Sequence, residues 1–422
     1  MKKLFLLLVC VVGLVASDAT VEIVKRLERL PVVALQDSTT DDVDPGLKRR
    51  FFQMLVGDLK VSANFEVVDE YVMVPYGAEY RFSYTAQKMP DLVLRYRLEL
   101  SRSGEILARA KVFNAATGTL RSEKSYKISQ PERYPFLAHR MIVEFNDSLG
   151  LPSIAWMERF IIFAKYTTPK QSEIVLADYT LTFQQSIVTG GLNIFPKWAN
   201  QQQSAFYYSD YSAKVPTVYH VNLSTGRRTK IVESQGIMVV SDVSNDGNTL
   251  LLTMAPSDQP DVYMYNVRTK HLERLTTYSG IDVSASFIDN EGRIVFVSDR
   301  LGYPNIFAKT IGQSSVEQMV YHGRNNNSVS AFGRYIVYSS REKSFEFGSG
   351  VFNLYLISTQ TDFIRQLTAT GKNLFPRFSS DGESVLFIKE YGAQSALGII
   401  RLGANKSFHF PLKTGHIQSI DW

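Results

Sequence analysis

The side chains best suited to bind a metal or move a proton are the six histidines, His139, His220, His271, His322, His409 and His416. They are scattered. No two stand at a spacing that would bring two imidazoles onto one ion, and the single cysteine, Cys10, lies far from all of them. Each is read as structural or solvent-exposed, and no metal or cofactor is expected. The acidic run from Asp37 to Asp44 lacks the alternating carboxylates and the glycine of a calcium loop, so it reads as a solvated loop ending in a helix cap. Ser340-Arg-Glu-Lys343 matches the bare Ser-x-x-Lys spacing, but it falls at a strand end beside a long loop and is read as coincidence. Gly348-Ser-Gly350 has no strand before it and no helix after it, so it is a flexible turn and not a phosphate loop. Gly-x-Ser-x-Gly is absent, which argues against a propeller-gated peptidase. No catalytic residue is expected, and the function falls to binding.

Composition narrows the setting. Lys2-Lys3, an apolar run from Leu4 to Val15 and small residues at Ala16, Ser17 and Ala19 have the form of a secretory signal peptide, residues 1–17. The run is shorter than a membrane-spanning helix requires. A retained anchor is the rival reading. A lipoprotein site at Cys10 is disfavoured by Val9, where a small residue belongs. Removing the leader would leave no cysteine, so the exported chain would fold on core packing alone. The formal net charge of +5 loses two cations with Lys2 and Lys3. The remaining charge of about +3 is too small to argue for nucleic acid or an anionic membrane as partner.

The elements fall into two textures. Asp44-Pro45 sets a cap and a first-turn proline, after which Leu47, Phe51, Leu55 and Leu59, with Phe52 and Val56, form a helical stripe opposite Lys48, Arg49 and Lys60. A second helix follows Pro135, with Leu137, Met141 and Phe145 on one side and Gly150 past its end. Strands at Pro31–Leu35, Phe65–Val68, Asp91–Leu100, Ile106–Phe113 and Leu120–Ile128 complete an α/β domain over residues 18–154. From residue 155 to 422 the chain alternates apolar and polar residues throughout. Apolar strands begin at Phe160, Ser204, Thr249, Arg293, Tyr335 and Ser384, at intervals of 44, 45, 44, 42 and 49 residues. Three further short strands fit into each interval. Four strands per period of this length is the signature of a β-propeller blade, and six copies predict six blades. The segment Asn193-Ile-Phe-Pro-Lys-Trp198 recurs as Asn373-Leu-Phe-Pro-Arg-Phe378, and Gly415–Trp422 repeats the pattern without the strand that follows it elsewhere. The strand at Phe160–Ala164 lacks a preceding copy. The last strand is therefore expected to be innermost in the blade that begins at Phe160, closing the ring and removing its free edges.

With the leader and the two domains in view, the chain resembles the TolB family, the periplasmic propellers of the Tol–Pal envelope system. The resemblance covers essentially the whole chain. It is carried by Val21-Glu-Ile-Val24 with Pro31-Val-Val-Ala-Leu35, by Asp58-Leu-Lys-Val-Ser-Ala-Asn-Phe-Glu-Val-Val68 and by Ala138-His-Arg-Met141. In the propeller it lies in Phe195-Pro-Lys-Trp198, Ser298-Asp-Arg-Leu-Gly302 and Phe375-Pro-Arg-Phe-Ser-Ser-Asp-Gly382. The family's Trp-Ser-Pro-Asp-Gly is nowhere complete; it has drifted to Val243-Ser-Asn-Asp-Gly247 and Val329-Ser-Ala-Phe-Gly333. The resemblance implies a non-enzymatic adaptor, monomeric, that supports outer-membrane integrity and constriction during division. The propeller would bind the peptidoglycan-associated lipoprotein Pal. The N-terminal segment, with Val21, Glu22, Ile23 and Val24, would bind the inner-membrane protein TolA. Mapped onto this chain, the Pal-facing loops enter the innermost strands at Asn193, Asp282, Asn325, Asn326, Asn373 and His416. Asparagine and aspartate at such positions also favour turns for local reasons.

Two other readings remain. An exported propeller enzyme, a lyase or peptidase, would need titratable groups converging at the channel, where Asp282, His322 and His416 are the candidates. A carbohydrate-binding module would need aromatics along an open groove, whereas most of the 26 Phe and 22 Tyr fall on strand-periodic positions.

Overall fold

The computed structural model describes residues 29–78, 89–323, 325–342, 350–392 and 394–422. The leader, the segment Val21–Val24 and Lys343 lie outside them.

Alternation decides the first layer. In β1 (Val32–Asp37), Val33 and Leu35 face a core that includes the helices, while Val32 and Ala34 face a small cluster with Val68, Val93 and Phe113 on the other side. Around it lie β2 (Glu66–Val68), β3 (Leu92–Leu100), β4 (Ile106–Asn114) and β5 (Leu120–Ile128), in the order β2-β1-β3-β4-β5. The strands flanking β1 are parallel to it, and β3, β4 and β5 form an antiparallel meander. Helix α1 (Pro45–Ser62) starts where Asp44 accepts the Leu47 N–H at 2.7 Å, and it stops at Ala63 in a left-handed conformation. Helix α2 (Tyr134–Ser148) begins one residue before Pro135. Phe51, Leu55 and Leu59 of α1 are fully buried, in one cluster with Met141 and Phe145 of α2. Lys48 departs from its expected place on the solvated side. Its stem is buried, and the ammonium reaches Asp41 at 3.3 Å.

The chain then passes through 149–154 and a 3-10 turn, Ala155–Glu158, into the all-β region. Among the described residues its strands form six four-stranded groups, two of which are joined by one parallel bridge between Phe352 and Lys372. The C-terminal strand His416–Asp421 pairs antiparallel with Ile161–Thr168, so that sheet is built from both ends of the region. Gln203 ties down the entry to it: its side chain accepts from Phe160 N at 2.9 Å and donates to Phe160 O at 2.8 Å.

The inner strands are Asn193–Trp198, Met238–Val243, Asp282–Ile288, Asn326–Phe332, Lys372–Phe378 and His416–Asp421. Each touches the next, and the last touches the first. Side chains at one repeated position link them. Asp421 accepts from Trp198 N (2.9 Å), Asp242 from Phe287 N (2.9 Å), Ser286 from Ala331 N (3.3 Å) and Ser330 from Phe378 N (3.4 Å). The two remaining steps differ. Lys197 Nζ stands 3.4 Å from Asp242, and Trp422 Nε1 donates to Phe378 O at 2.7 Å. Buried N–H groups need acceptors. Here short polar side chains of the adjacent sheet supply them.

Candidate functional site: the channel and its mouth

The inner strands frame an axial channel. A cavity of about 290 Å³ within it is walled by Phe195, Val239, Val283, Val329, Phe375 and Ile420. Four inner strands carry a bulge whose residue has positive φ: Phe195 (55°), Ser284 (54°), Ser328 (52°) and Phe375 (51°). Such non-glycine conformations cost roughly 1–3 kcal/mol each and persist only where surroundings hold them. At two of them the holding contact is visible: Phe195 N donates to Ser419 Oγ at 3.0 Å and Ser284 N to Thr253 Oγ1 at 3.1 Å. The channel continues into a second hollow of about 210 Å³ toward the strand ends near Trp198 and Trp422. There Lys197 Nζ lies 2.9 Å from Asp421 and 3.4 Å from Asp242, and Arg377 Nε lies 3.8 Å from Asp421. These charges neutralise one another across four sheets. None is left as a free acid or base.

At the opposite end, where the inner strands begin, most of the expected contact residues turn inward. Asn193, Asp282, Asn326 and Asn373 are all buried. Asn193 donates to Gly190 O at 2.8 Å, and Asn373 to Phe352 O at 2.8 Å and Thr370 O at 3.0 Å. Asn326 donates to Asn305 Oδ1 at 2.9 Å and to His322 O at 3.1 Å. Both Asp282 oxygens accept from Arg300, each at 3.1 Å. All four side chains are thus engaged within the entry loops themselves. They are the internal struts of the entry loops, the local role that short polar residues play in turns. Asn325 and His416 differ. Asn325 is half-buried in a left-handed conformation (φ 68°), and His416, about a third exposed, stands 3.5 Å from Glu390.

What these struts present is apolar. Ile281 stands directly before Asp282, Leu301 directly after Arg300, and Tyr321 five residues before Asn326. All three are exposed, Tyr321 at 81%. The sequence reading missed them, because a surface tyrosine in a loop carries no periodic signal. The strut residues one to five positions away were the available clue.

The enzymatic candidates do not converge. Asp282 is held by Arg300. His322 Nε2 is 2.7 Å from the Tyr338 hydroxyl, with its pKa pushed down by burial despite the nearby Glu342 charge, and His416 faces Glu390. Among the described residues no three His, Cys, Asp or Glu side chains could hold a metal ion. No helix there is long and apolar enough to cross a membrane.

The fold and the mouth together define a propeller-type protein fused to an α/β domain, with a channel in which Lys197, Asp421, Asp242 and Arg377 pair with one another. Comparison with known proteins narrows this. Residues 156–422 match the model of the TolB beta propeller domain. The chain is 53% identical over 417 residues to the Tol-Pal system protein TolB of Wolinella succinogenes, covering 97% of each. It is 48% identical to the protein of that name from Campylobacter jejuni and 42% identical to that from Helicobacter pylori strain J99, covering all of each chain. The crystal structure of TolB from Acinetobacter baumannii has the same fold, with a TM-score of 0.73 at 19% identity over 93% of this chain and 97% of that one. The chain belongs to the TolB family of Tol–Pal system proteins.

Proposed function

We propose that this protein is a non-enzymatic, monomeric adaptor of the periplasm, exported by a cleaved signal peptide (residues 1–17), with an α/β domain to residue 154 and a six-bladed propeller from 155. It is not inserted in the membrane and binds no nucleic acid. Its propeller mouth binds a Pal-like lipoprotein and its N-terminal segment, Val21–Val24, binds a TolA-like inner-membrane protein. In this way it supports outer-membrane integrity and constriction at division. The observation that carries the reading of the mouth is the ring of buried struts, Asn193, Asp282, Asn326 and Asn373, beneath loops that expose Ile281, Leu301 and Tyr321. Large exposed apolar side chains over rigid, hydrogen-bonded loops are how binding anchors are built. Asn325 and His416 lie on the same rim and complete the contact set.

The test has two arms. With the soluble domain of a Pal-like lipoprotein, Tyr321→Ala combined with Ile281→Ala should weaken binding by tenfold or more, since a buried aromatic anchor is worth about 2 kcal/mol or more. Unchanged affinity refutes the mouth assignment. Deleting residues 18–25 should abolish capture by a TolA-like domain while leaving Pal-like binding intact. Retained capture refutes the N-terminal assignment.

A further inference from the structure

His139 on α2 is fully buried, and neither the channel nor its mouth involves it. Its ring nitrogens face carboxylates from different parts of the chain. Nδ1 lies 2.8 Å from Asp58 Oδ2 on α1, and Nε2 lies 3.3 Å from Asp178 Oδ2 in the propeller loop 178–183. A neutral imidazole would turn a lone pair toward one of these oxygens; only the imidazolium donates to both. The loop is itself braced. Asp178 accepts from Thr180 N at 2.9 Å and Phe183 N at 2.6 Å, and the Tyr179 hydroxyl donates to Asp58 Oδ1. The propeller therefore grips α1 at Asp58 through an ion and a phenol. A second tie lies one turn along the helix, where Arg401 Nε donates to Ser62 O at 3.2 Å. The covalent connection between the two parts is the short 149–154 stretch, which has Gly150 at φ 64°. Asn64 and Asn146 donate to Pro152 O there, at 2.9 and 3.0 Å.

We propose that His139 is a proton-held latch that locks the α/β domain and the propeller in one orientation, and that loss of its proton lets the two swing about residues 149–154. The device lies outside the partner-binding surfaces and does not depend on their assignment. It makes the orientation of one domain conditional on the other only while the bridge is closed.

The electrostatics agree with the geometry. Burial alone would depress the His139 pKa, but the Asp58 charge and the hydrogen bonds to Asp178 and Asp58 outweigh it and raise it to about 9. Burial pushes Asp58 up, against the lowering effect of His139 and Tyr179. The other groups packed around the bridge are Tyr179 from the propeller loop and Tyr134 of α2, over which Arg50 of α1 sits at 6.0 Å. Arg401 is separated from the bridge by the Trp156 ring, 6.0 Å from its guanidinium. Because the folded pKa exceeds the usual histidine value, the latch is fully held below about pH 6.5 and is lost as pH rises through about 9.

The test uses the full chain with Cys10 replaced by Ser and spin labels at the exposed positions Leu120 and Lys413. The expected wild-type result is one narrow interdomain distance at pH 7 that broadens as pH rises through about 9, with unchanged far-UV circular dichroism. His139→Gln should show the broad distribution already at pH 7 and no pH response. A narrow distribution in His139→Gln, or a wild-type distribution unchanged to pH 10, overturns the proposal. If His139→Gln does not fold, Asp178→Asn replaces it. Its amide oxygen can keep the Phe183 N–H while the amide nitrogen replaces the oxygen that faces His139 and Thr180, so the charge and that acceptor are both gone, and an unchanged distribution there overturns the proposal equally. The wild-type titration decides the matter independently of either variant.

Discussion

Removing residues 416–422 should unfold the propeller region and not merely trim a tail, and the size of the effect follows from what those residues touch. Trp422 is almost fully buried, its ring 5.4 Å from that of Trp156 and its indole N–H donating to Phe378 O. Losing a buried tryptophan costs about 3–5 kcal/mol. Ile417 and Ile420 are each 1% exposed, and each contributes roughly 1.5–3 kcal/mol of burial. Asp421 accepts from Trp198 N and from Lys197 Nζ, both at 2.9 Å, so its loss orphans a buried donor and leaves a mostly buried cation with Asp242 alone, 3.4 Å away. The sum approaches the roughly 5–15 kcal/mol by which whole domains are stable. The graded version is Trp422→Ala alone. About 4 kcal/mol at 2–4 °C per kcal/mol lowers the melting temperature by roughly 10 °C. Differential scanning calorimetry on the full chain, the truncation and Trp422→Ala measures this directly. A truncated protein that melts with the full chain would refute the reasoning, because the Ile161–Thr168 strand would then be stable with one edge bare.

Two smaller perturbations examine the same packing logic elsewhere. Gln203→Ala removes both hydrogen bonds to the Phe160 backbone. It should lower the urea midpoint by the equivalent of about 1–3 kcal/mol without changing the slope, and an unchanged midpoint would show that water replaces the amide. Gly398→Val places a Cβ 2.2 Å from the fully buried Phe387 ring, so overpacking should cost about 1–3 kcal/mol or more. Phe387→Leu in the same chain should restore part of that loss in a thermal melt; no rescue would mean that the backbone, not the ring, is what gives way.

The elements were legible where a single local rule governs them. The Asp44-Pro45 cap, the Phe51–Leu55–Leu59 stripe and the alternation in β1 each announce one element, and the structure has α1 and β1 there. Chemistry set by distant partners was not legible. His139 looks like any scattered histidine because its carboxylates stand 81 residues before it and 39 after it. Lys48 sits on the polar side of the helical wheel, yet Asp41 in the preceding loop draws its ammonium across a buried stem. The mouth is ambiguous in sequence for a subtler reason. Asparagine at a strand entry serves a turn and a partner equally well in sequence, and only burial separates the two. At Asn193, Asn326 and Asn373 burial favours the turn.

That separation bears on what such a molecule can do. The polar groups of the channel wall that the structure describes bind neighbouring sheets. Asp421 and Asp242 accept main-chain N–H groups and neutralise Lys197, and Ser286 and Ser330 accept N–H groups from the next strand. Converting Asp421 to a catalytic acid would require freeing it from Trp198, Lys197 and Arg377 together, and each of those contacts also joins two sheets. Chemistry at that position and integrity of the ring are thus in direct competition. The loops are exempt from the competition, because their struts face inward and their apolar tips face out. A fold wired in this way is free to vary its rim by changing Ile281, Leu301 or Tyr321 without disturbing a single bond between sheets. Substituting those three should therefore alter binding at constant melting temperature, and a concurrent loss of stability would show that rim and frame are not separable.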